Sequence, residues 1–444
     1  MIEVMNGYEP HVFRTGPKSK WGVDEAELSE PTALRKSIEP WLTSVFQSEH
    51  FSLLLGSGFS SSVVVPAGVE PADMAGVSWP TDLQSQIRNA ANRLAKNSAR
   101  GAPNVEDEIR AAMYLSEGLK VLGDKRATEV DEAISSVLSD LEDRVLRVES
   151  DFRHAQATAR ERSEHLLISF LISFASRAAT RERLSLFTTN YDRFIEYGCD
   201  LAGLRAIDRF VGSLEPVFRT TRLEVDMHYN PPGIRGEPRF LEGVLHFAKL
   251  HGSLDWSWSE GQIRKRGVPF GGPSRQGSTS GNAADSLIVY PNPAKDMETL
   301  NYPYSELFRD FSAAVCRPNS ALVTYGYGFG DSHINRVIMD MLTIPSTHLV
   351  VISWDQADGT GADTQSNASR TRLLQFLEEA GRESQISLLV GEHFGDLHNL
   401  VRYYLPKPAI DPISMRQTKL KERRGEAFRE PPEKEQESDE LSTD

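Results

Sequence analysis

The sequence predicts an α/β fold: a parallel sheet with helices on both faces, plus an inserted helical subdomain. Three observations carry that expectation. Short apolar runs recur along the chain between segments of helical spacing, as strands buried on both faces require. Two of these runs end in glycine-rich turns that lead towards helices, the arrangement of a Rossmann-like sheet. Between the first run and the second lies a stretch of about a hundred residues with helical periodicity and few strand signals.

The elements follow in order. Residues 1–50 form an N-terminal helical segment, in which Leu34, Ile38, Trp41, Leu42 and Val45 recur at helical spacing within Pro31 to Phe46. Phe51 to Leu55 (FSLLL) reads as a buried strand stopped by Gly-Ser-Gly, and it opens the main domain over 51–410. The helical insertion covers about 81–182, with Val130, Ile134, Val137, Leu138, Leu141, Val145 and Val148 on one face. Strand-like runs follow at Leu184 to Thr188, Leu245 to Leu250, Leu287 to Tyr290, Ala321 to Tyr325 and His348 to Ser353. The Gly-, Ser- and Arg-rich stretch Gly261 to Asp285 suits a mobile loop. Beyond it, 411–444 is a charged tail: Arg416 to Arg429 carries net +4 and Glu430 to Asp444 net −6, the pattern of a solvated arm or an interaction segment.

Composition narrows the function classes. With 444 residues, 39% hydrophobic and 25% charged, the chain can bury a sizeable core, which excludes wholesale disorder and rod-like folds. A net charge of −14 argues against duplex binding by the whole surface. Cys199 and Cys316 are isolated, so neither a zinc site nor a disulfide framework is expected, and a reducing cytoplasm suits the chain. The start lacks the order of a signal peptide. The greasiest stretch, His165 to Ala175, is too short to span a bilayer and reads as a buried helix.

Five places could carry chemistry. Gly56-Ser57-Gly58-Phe59-Ser60, directly after a strand, could cradle a phosphate, but it lacks the full GxGxxG spacing and also suits a plain strand exit. In Thr188-Thr189-Asn190-Tyr191-Asp192, Asn190 and Asp192 stand at the carboxyl end of a strand, where ligands bind in open parallel sheets. Asn and Asp also cap helices, and the local sequence alone favours that reading. His251, in KLHGS, again ends an apolar strand, and histidine is the side chain best suited to general-base work near neutrality. Gly326-Tyr327-Gly328-Phe329-Gly330-Asp331 is a second glycine-rich strand-to-helix loop, or a plain connector. Ser353, Trp354 and Asp355 end a further strand with groups that could bond a ribose or lie against an adenine.

The ordered set GSGFS, TTNYD, KLHGS and GYGFGD, all at strand ends, resembles the sirtuin-like NAD-consuming family, especially its bacterial NAD-hydrolase branch in antiphage defence. The resemblance spans roughly residues 50 to 400. It implies that Gly56, Ser57, Gly58, Phe59 and Ser60 form the first cofactor loop, with Trp79-Pro80 and Leu83 at its proline-containing end. It implies that Asn190 positions ribose and water, that Asp192 lies beside the nicotinamide carboxamide and that His251 is the catalytic histidine. Gly326, Tyr327, Gly330 and Asp331 would hold the adenosine ribose, and Ser353, Trp354 and Asp355 would lie near the adenosine half. Thr189 stands where the deacylases of the family usually show glutamine, and their four zinc-holding cysteines are missing, which lowers the case for acyl-lysine chemistry.

The implied activity is NAD⁺ hydrolysis to nicotinamide and ADP-ribose, with NAD⁺ as substrate and neither zinc nor a further cofactor. The resemblance also implies gating by assembly, hence a homo-oligomer, or by a partner such as an oligomeric HerA-type ATPase or a nucleic-acid-sensing protein, with no membrane. The competing readings are a non-catalytic NAD or ADP-ribose sensing scaffold, and a protein deacylase or ADP-ribosyltransferase. Retention of both Asn190 and His251 argues against the scaffold, since the glycine loops alone would suffice for binding. A serine hydrolase is disfavoured because GSGFS is not a GxSxG elbow.

Overall fold

The computed structural model describes residues 11–15, 23, 25–72, 77–97, 103, 105–178, 180–221, 226–229, 239–272, 286–288, 302–354 and 364–407. The fold is α/β, built on a mostly parallel eight-stranded sheet. Its strands are β1 (Val12–Arg14), β2 (His50–Leu55), β3 (Leu184–Thr188), β4 (Arg205–Ile207), β9 (Val244–Lys249), β13 (Ser320–Tyr325), β14 (His348–Ser353) and β15 (Ile386–Val390). The spatial order is β1-β15-β14-β13-β2-β3-β9-β4. All neighbours are parallel except the edge strand β1, which runs antiparallel to β15. Every residue of β13 and β15 is buried, and only the first residue of β2 and of β14 is not, which explains their predominantly apolar character.

From β2 the chain builds outward through β3 to β9 and β4, then returns to the other side of β2 to build β13, β14 and β15. The order therefore reverses between β2 and β13, the place where open α/β sheets form a crevice at their carboxyl ends. The register aligns those ends, because Leu55 pairs with both Tyr325 and Thr188, and Thr188 pairs with Lys249. The loops beginning at Gly56, Thr189, Leu250 and Gly326 thus leave the sheet along one edge.

Helix Pro31–Phe46 forms where the spacing predicts it and buries Ile38, Leu42, Val45 and Phe46. The insertion contains helices Gln84–Asn97, Val105–Val121, Arg126–His154 and Ala157–Ala175. Within Arg126–His154 the expected stripe is buried from Val130 to Val145, while Val148 is only partly buried. Helices Gln84–Asn97, Val105–Val121 and most of Arg126–His154 share their own apolar core. Ala157–Ala175 instead returns to the sheet, where Leu166, Leu167, Phe170, Leu171 and Phe174 join the core around β2 and β3.

Two expectations are corrected. The run Leu287 to Tyr290 does not join the parallel sheet: β12 (Ser286–Ile288) lies in a separate five-stranded antiparallel sheet, and residues 289–290 lie outside the described residues. That sheet has the order β12-β10-β11-β6-β5, with β5 (Phe210–Val211), β6 (Val217–Phe218), β10 (Gly252–Ser259) and β11 (Gln262–Lys265). Strands β10 and β11 form a hairpin through Glu260 and Gly261, both at positive φ (54° and 73°), so antiparallel pairing needs no crossover helix. For the same reason Gly261 to Asp285 is not one loop. Its first residues form β11, with Lys265 Nζ 2.5 Å from Asp208 Oδ2 and Arg266 Nη2 3.4 Å from Glu142 Oε1, while residues 273–285 lie outside the described residues. A third, two-stranded sheet pairs β7 (His228–Tyr229) with β8 (Arg239–Phe240).

Residues up to Pro406 form one compact unit; of the second unit, 407–444, only Lys407 is described, and the charged tail 411–444 lies outside the described residues. No helix among the described residues is long and apolar enough to cross a membrane.

Candidate active site

The two glycine-rich loops are packed backbone to backbone across the β2–β13 crevice. A Cβ on Gly56 would lie 2.5 Å from the Gly326 carbonyl oxygen, and one on Gly326 would lie 2.4 Å from the Phe59 nitrogen. Gly326 also has φ +64°, which a side chain would strain. The Gly58 N–H donates to the Gly326 carbonyl at 3.0 Å, and the Phe59 N–H to the Gly56 carbonyl at 3.0 Å. Two early amides of helix Ser57–Val64 are therefore already engaged within the protein. The glycines serve the crossing of the two loops as well as any ligand.

Asn190 is held against the first loop. Its Nδ2 donates to the Gly56 carbonyl at 2.9 Å and to Ser60 Oγ at 2.8 Å, and Ser60 Oγ donates to Asp192 Oδ2 at 2.6 Å. The Asn190 N–H donates to Thr188 Oγ1 at 3.1 Å, and that hydroxyl donates to the Leu55 carbonyl at 3.0 Å. The Thr189 N–H also donates to Leu55, at 3.2 Å. Asn190 is thus buried at 6% exposure and caps no helix. Asp192 does take a cap-like role, its Oδ1 accepting from the Phe194 N–H at 3.3 Å at the start of helix Phe194–Ala202.

His251 sits at the junction of β9 and β10, buried, with its ring centroid 6.4 Å from that of Tyr191. Its Nε2 lies 2.8 Å from Asp331 Oδ2, an ion-pair distance without the alignment of a hydrogen bond, and both atoms are shielded from solvent. Asp331 caps helix Ser332–Leu342 through Oδ1, which accepts from the His333 N–H at 3.1 Å. Tyr327 is buried and its hydroxyl donates to Asn335 Oδ1 at 2.8 Å, so it secures its own loop. Ser353 is buried and its carbonyl accepts from Gly391, whereas Trp354 is 44% exposed at the end of β14. Asp355 lies outside the described residues.

The structure therefore brings Gly56, Ser60, Asn190 and Asp192 into one bonded group and pairs His251 with Asp331. Trp79 and Leu83 are elsewhere: they lie in the core of the helical block, with Trp79 Nε1 donating to Glu108 Oε2 at 2.9 Å. Two residues were missed by the sequence reading. Lys249, buried at 2% exposure, donates from Nζ to the Asp192 carbonyl at 2.5 Å and to Glu196 Oε1 at 3.0 Å, tying the Asn190 loop to β9. A lysine ending an otherwise apolar strand was the sign that could have found it. Arg193 is the other: it is 6% exposed, its Nη2 lies 2.5 Å from Glu149 Oε2 in helix Arg126–His154, and its main-chain N–H donates to Glu149 Oε1 at 2.9 Å. Burial pushes the Glu149 carboxyl up from its ordinary value, against the opposing pull of Arg193.

Among the described residues, no cluster of three His, Cys, Asp or Glu side chains is placed to hold a metal ion. A small cavity of about 10 Å³ lies behind β9, lined by Lys249, Trp256 and Lys265 among others. It has room for about one water and is separate from the crevice loops.

Among known families, the model of one described as a SIR2-like domain matches residues 184–381. The matched segment starts at β3, so it contains Asn190, Asp192, His251 and Asp331 but neither the first glycine loop nor the helical block. The match supports a sirtuin-like family and fits an NAD-utilising enzyme. No curated protein matches the chain.

Proposed function

We propose that the protein is an NAD⁺ glycohydrolase that cleaves the nicotinamide–ribose bond to give nicotinamide and ADP-ribose. The observation that carries this reading is the fixing of Asn190 by the Gly56 carbonyl and Ser60 at the strand-order reversal, on the same sheet edge as buried His251. The bond to be broken needs no acid. Its electron pair passes to the pyridinium nitrogen, so the leaving nicotinamide is neutral, and the ribose carbon becomes oxocarbenium-like. What the protein must supply is orientation and a base. Asn190 orients the ribose and the attacking water, and His251 takes the proton that the water loses; such base assistance is worth about 10²–10⁴-fold. Trp354 offers an exposed aromatic face at the end of β14 for the adenine, and the glycine loops Gly56 to Ser60 and Gly326 to Gly330 line the pyrophosphate and ribose positions.

Following the resemblance at the level of whole systems, the biological role we propose is depletion of cellular NAD⁺ in antiphage defence, with activity gated by self-assembly or a partner protein. A deacylase requires an acyl-lysine peptide as acceptor, whereas a hydrolase requires only water. Mass spectrometry of NAD⁺ incubated with the purified protein, with and without an acetyl-lysine peptide, separates the two. Nicotinamide and free ADP-ribose at the same rate in both tubes is the expected result. Release that depends on the peptide contradicts it.

A further inference from the structure

Resting on the hydrolase reading, we propose that Asp331 is the positioning partner of His251 rather than a ribose-binding residue. The two side chains reach each other from opposite sides of the central strand, His251 from the β9–β10 junction and Asp331 from the loop after β13. Asp331 has little freedom. Its Oδ1 accepts from the His333 N–H at 3.1 Å, and the helix it caps is anchored by buried Ile334, Ile338 and Met341. With one carboxylate oxygen held by the helix, the other stands 2.8 Å from His251 Nε2, with side-chain exposures of 9% for His251 and 10% for Asp331.

The chemistry of that contact decides which ring nitrogen can work. An ionised carboxylate only accepts, so once the imidazole turns to align the pair a neutral His251 carries its hydrogen on Nε2 and keeps its lone pair on Nδ1. In the reaction, the water oxygen forms its bond to the ribose carbon as the bond from that carbon to nicotinamide breaks, with its electron pair moving onto the ring nitrogen. The proton released by the water goes to Nδ1, and the resulting imidazolium is matched by the Asp331 carboxylate. Asp331 thus acts through His251 and touches no reacting atom.

Asp331→Asn isolates this role. Asparagine caps a helix about as well as aspartate, so the fold and the helix are kept. With its carbonyl oxygen in the cap, its N–H₂ faces His251 and donates to Nε2, which forces the hydrogen onto Nδ1 and removes the base. The corresponding exchange in serine proteases costs about 10⁴-fold in kcat. The experiment measures NAD⁺ affinity and kcat for wild type and Asp331→Asn, and records ¹⁵N spectra of histidine-labelled protein, with the His251 signal identified by its loss in His251→Gln. The expected result is a kcat lowered by roughly 100-fold or more, a Kd for NAD⁺ within about threefold, and a His251 tautomer that changes from Nε2–H to Nδ1–H. A kcat within a few-fold of wild type, a parallel loss of NAD⁺ affinity, or an unchanged tautomer overturns the proposal. If wild type releases no nicotinamide either in its self-assembled state or with a partner protein added, the hydrolase reading has failed, and the imidazole spectra still decide whether Asp331 sets the state of His251.

Discussion

The strand-end crevice and the helical block are held together in opposite ways. In the crevice, side chains bond to the backbone of neighbouring loops, as Asn190 does to Gly56, and glycines let main chains touch. In the block, buried Ile87, Ile109, Val130, Val137 and Leu138 form an apolar core packed side chain to side chain. The crevice therefore depends on geometry, where one misplaced bond disturbs the site, and the block depends on volume, which can be lost in increments. The two regions meet around the Asn190 loop. Tyr191 and Leu254 belong to the block's apolar core, and Arg193 is paired with Glu149 of the block's longest helix, so the residues on either side of Asp192 are braced by the insertion. The insertion is a buttress for the Asn190 loop.

The largest stability effect follows from removing that brace. Glu149→Ala leaves the Arg193 guanidinium buried without its carboxylate and is expected to cost about 3–5 kcal/mol in urea unfolding. It should also weaken NAD⁺ binding, because it frees the segment that holds Asn190. A full loss of stability with unchanged affinity would separate the two regions and break the comparison. Next in size is Leu138→Ala, a cavity within the block, expected to cost about 2–4 kcal/mol with NAD⁺ affinity unchanged. If this apolar truncation lowered affinity as much as Glu149→Ala does, the distinction between bonded brace and filled volume would fail.

The smallest effect is a pH dependence on the sheet itself, away from both regions. His348, on β14, bonds Ser387 at 2.8 Å through Nε2, and burial lowers its pKa below the ordinary histidine value of 6.5. The unfolded chain then binds this proton more readily than the folded one. The stability it contributes is full above about 6.5 and is lost as pH falls through the lowered folded value, by at most about 1.4 kcal/mol per pH unit. Melting temperature should fall on acidification from neutrality, with a shallower slope in His348→Asn. An identical slope in the variant would assign the dependence to other groups, such as His393, whose pKa burial also lowers.

How much of this was legible in the sequence follows from the same physics. β2, β3, β9, β13 and β14 were readable because central parallel strands are apolar on both faces. The antiparallel sheet was not, because β5 and β6 are two residues long and β10 ends in half-exposed residues, so neither alternation nor an unbroken apolar run marks them. β15 carries ISLLV, a run as apolar as β14, and could have been read; β1, with three residues, depends on β15 for its pairing. In the site, strand-end positions placed Asn190, Asp192, His251 and the glycine loops on one edge. What those residues bond to was not legible. Local sequence favours capping for Asn190, yet its amide is used between loops, and the approach of Asp331 to His251 arises only when β9 and β13 are set on opposite sides of β2.

The most direct test of the account is nicotinamide release from NAD⁺ by the purified protein, measured with NAD⁺ binding, for wild type, His251→Ala and Asn190→Ala. The account predicts turnover by wild type, a loss of about 10²–10⁴-fold in His251→Ala with NAD⁺ still bound, and a comparable loss in Asn190→Ala. Unchanged turnover in both variants, or NAD⁺ bound by wild type without any release of nicotinamide either in the self-assembled state or with a partner protein added, would contradict it.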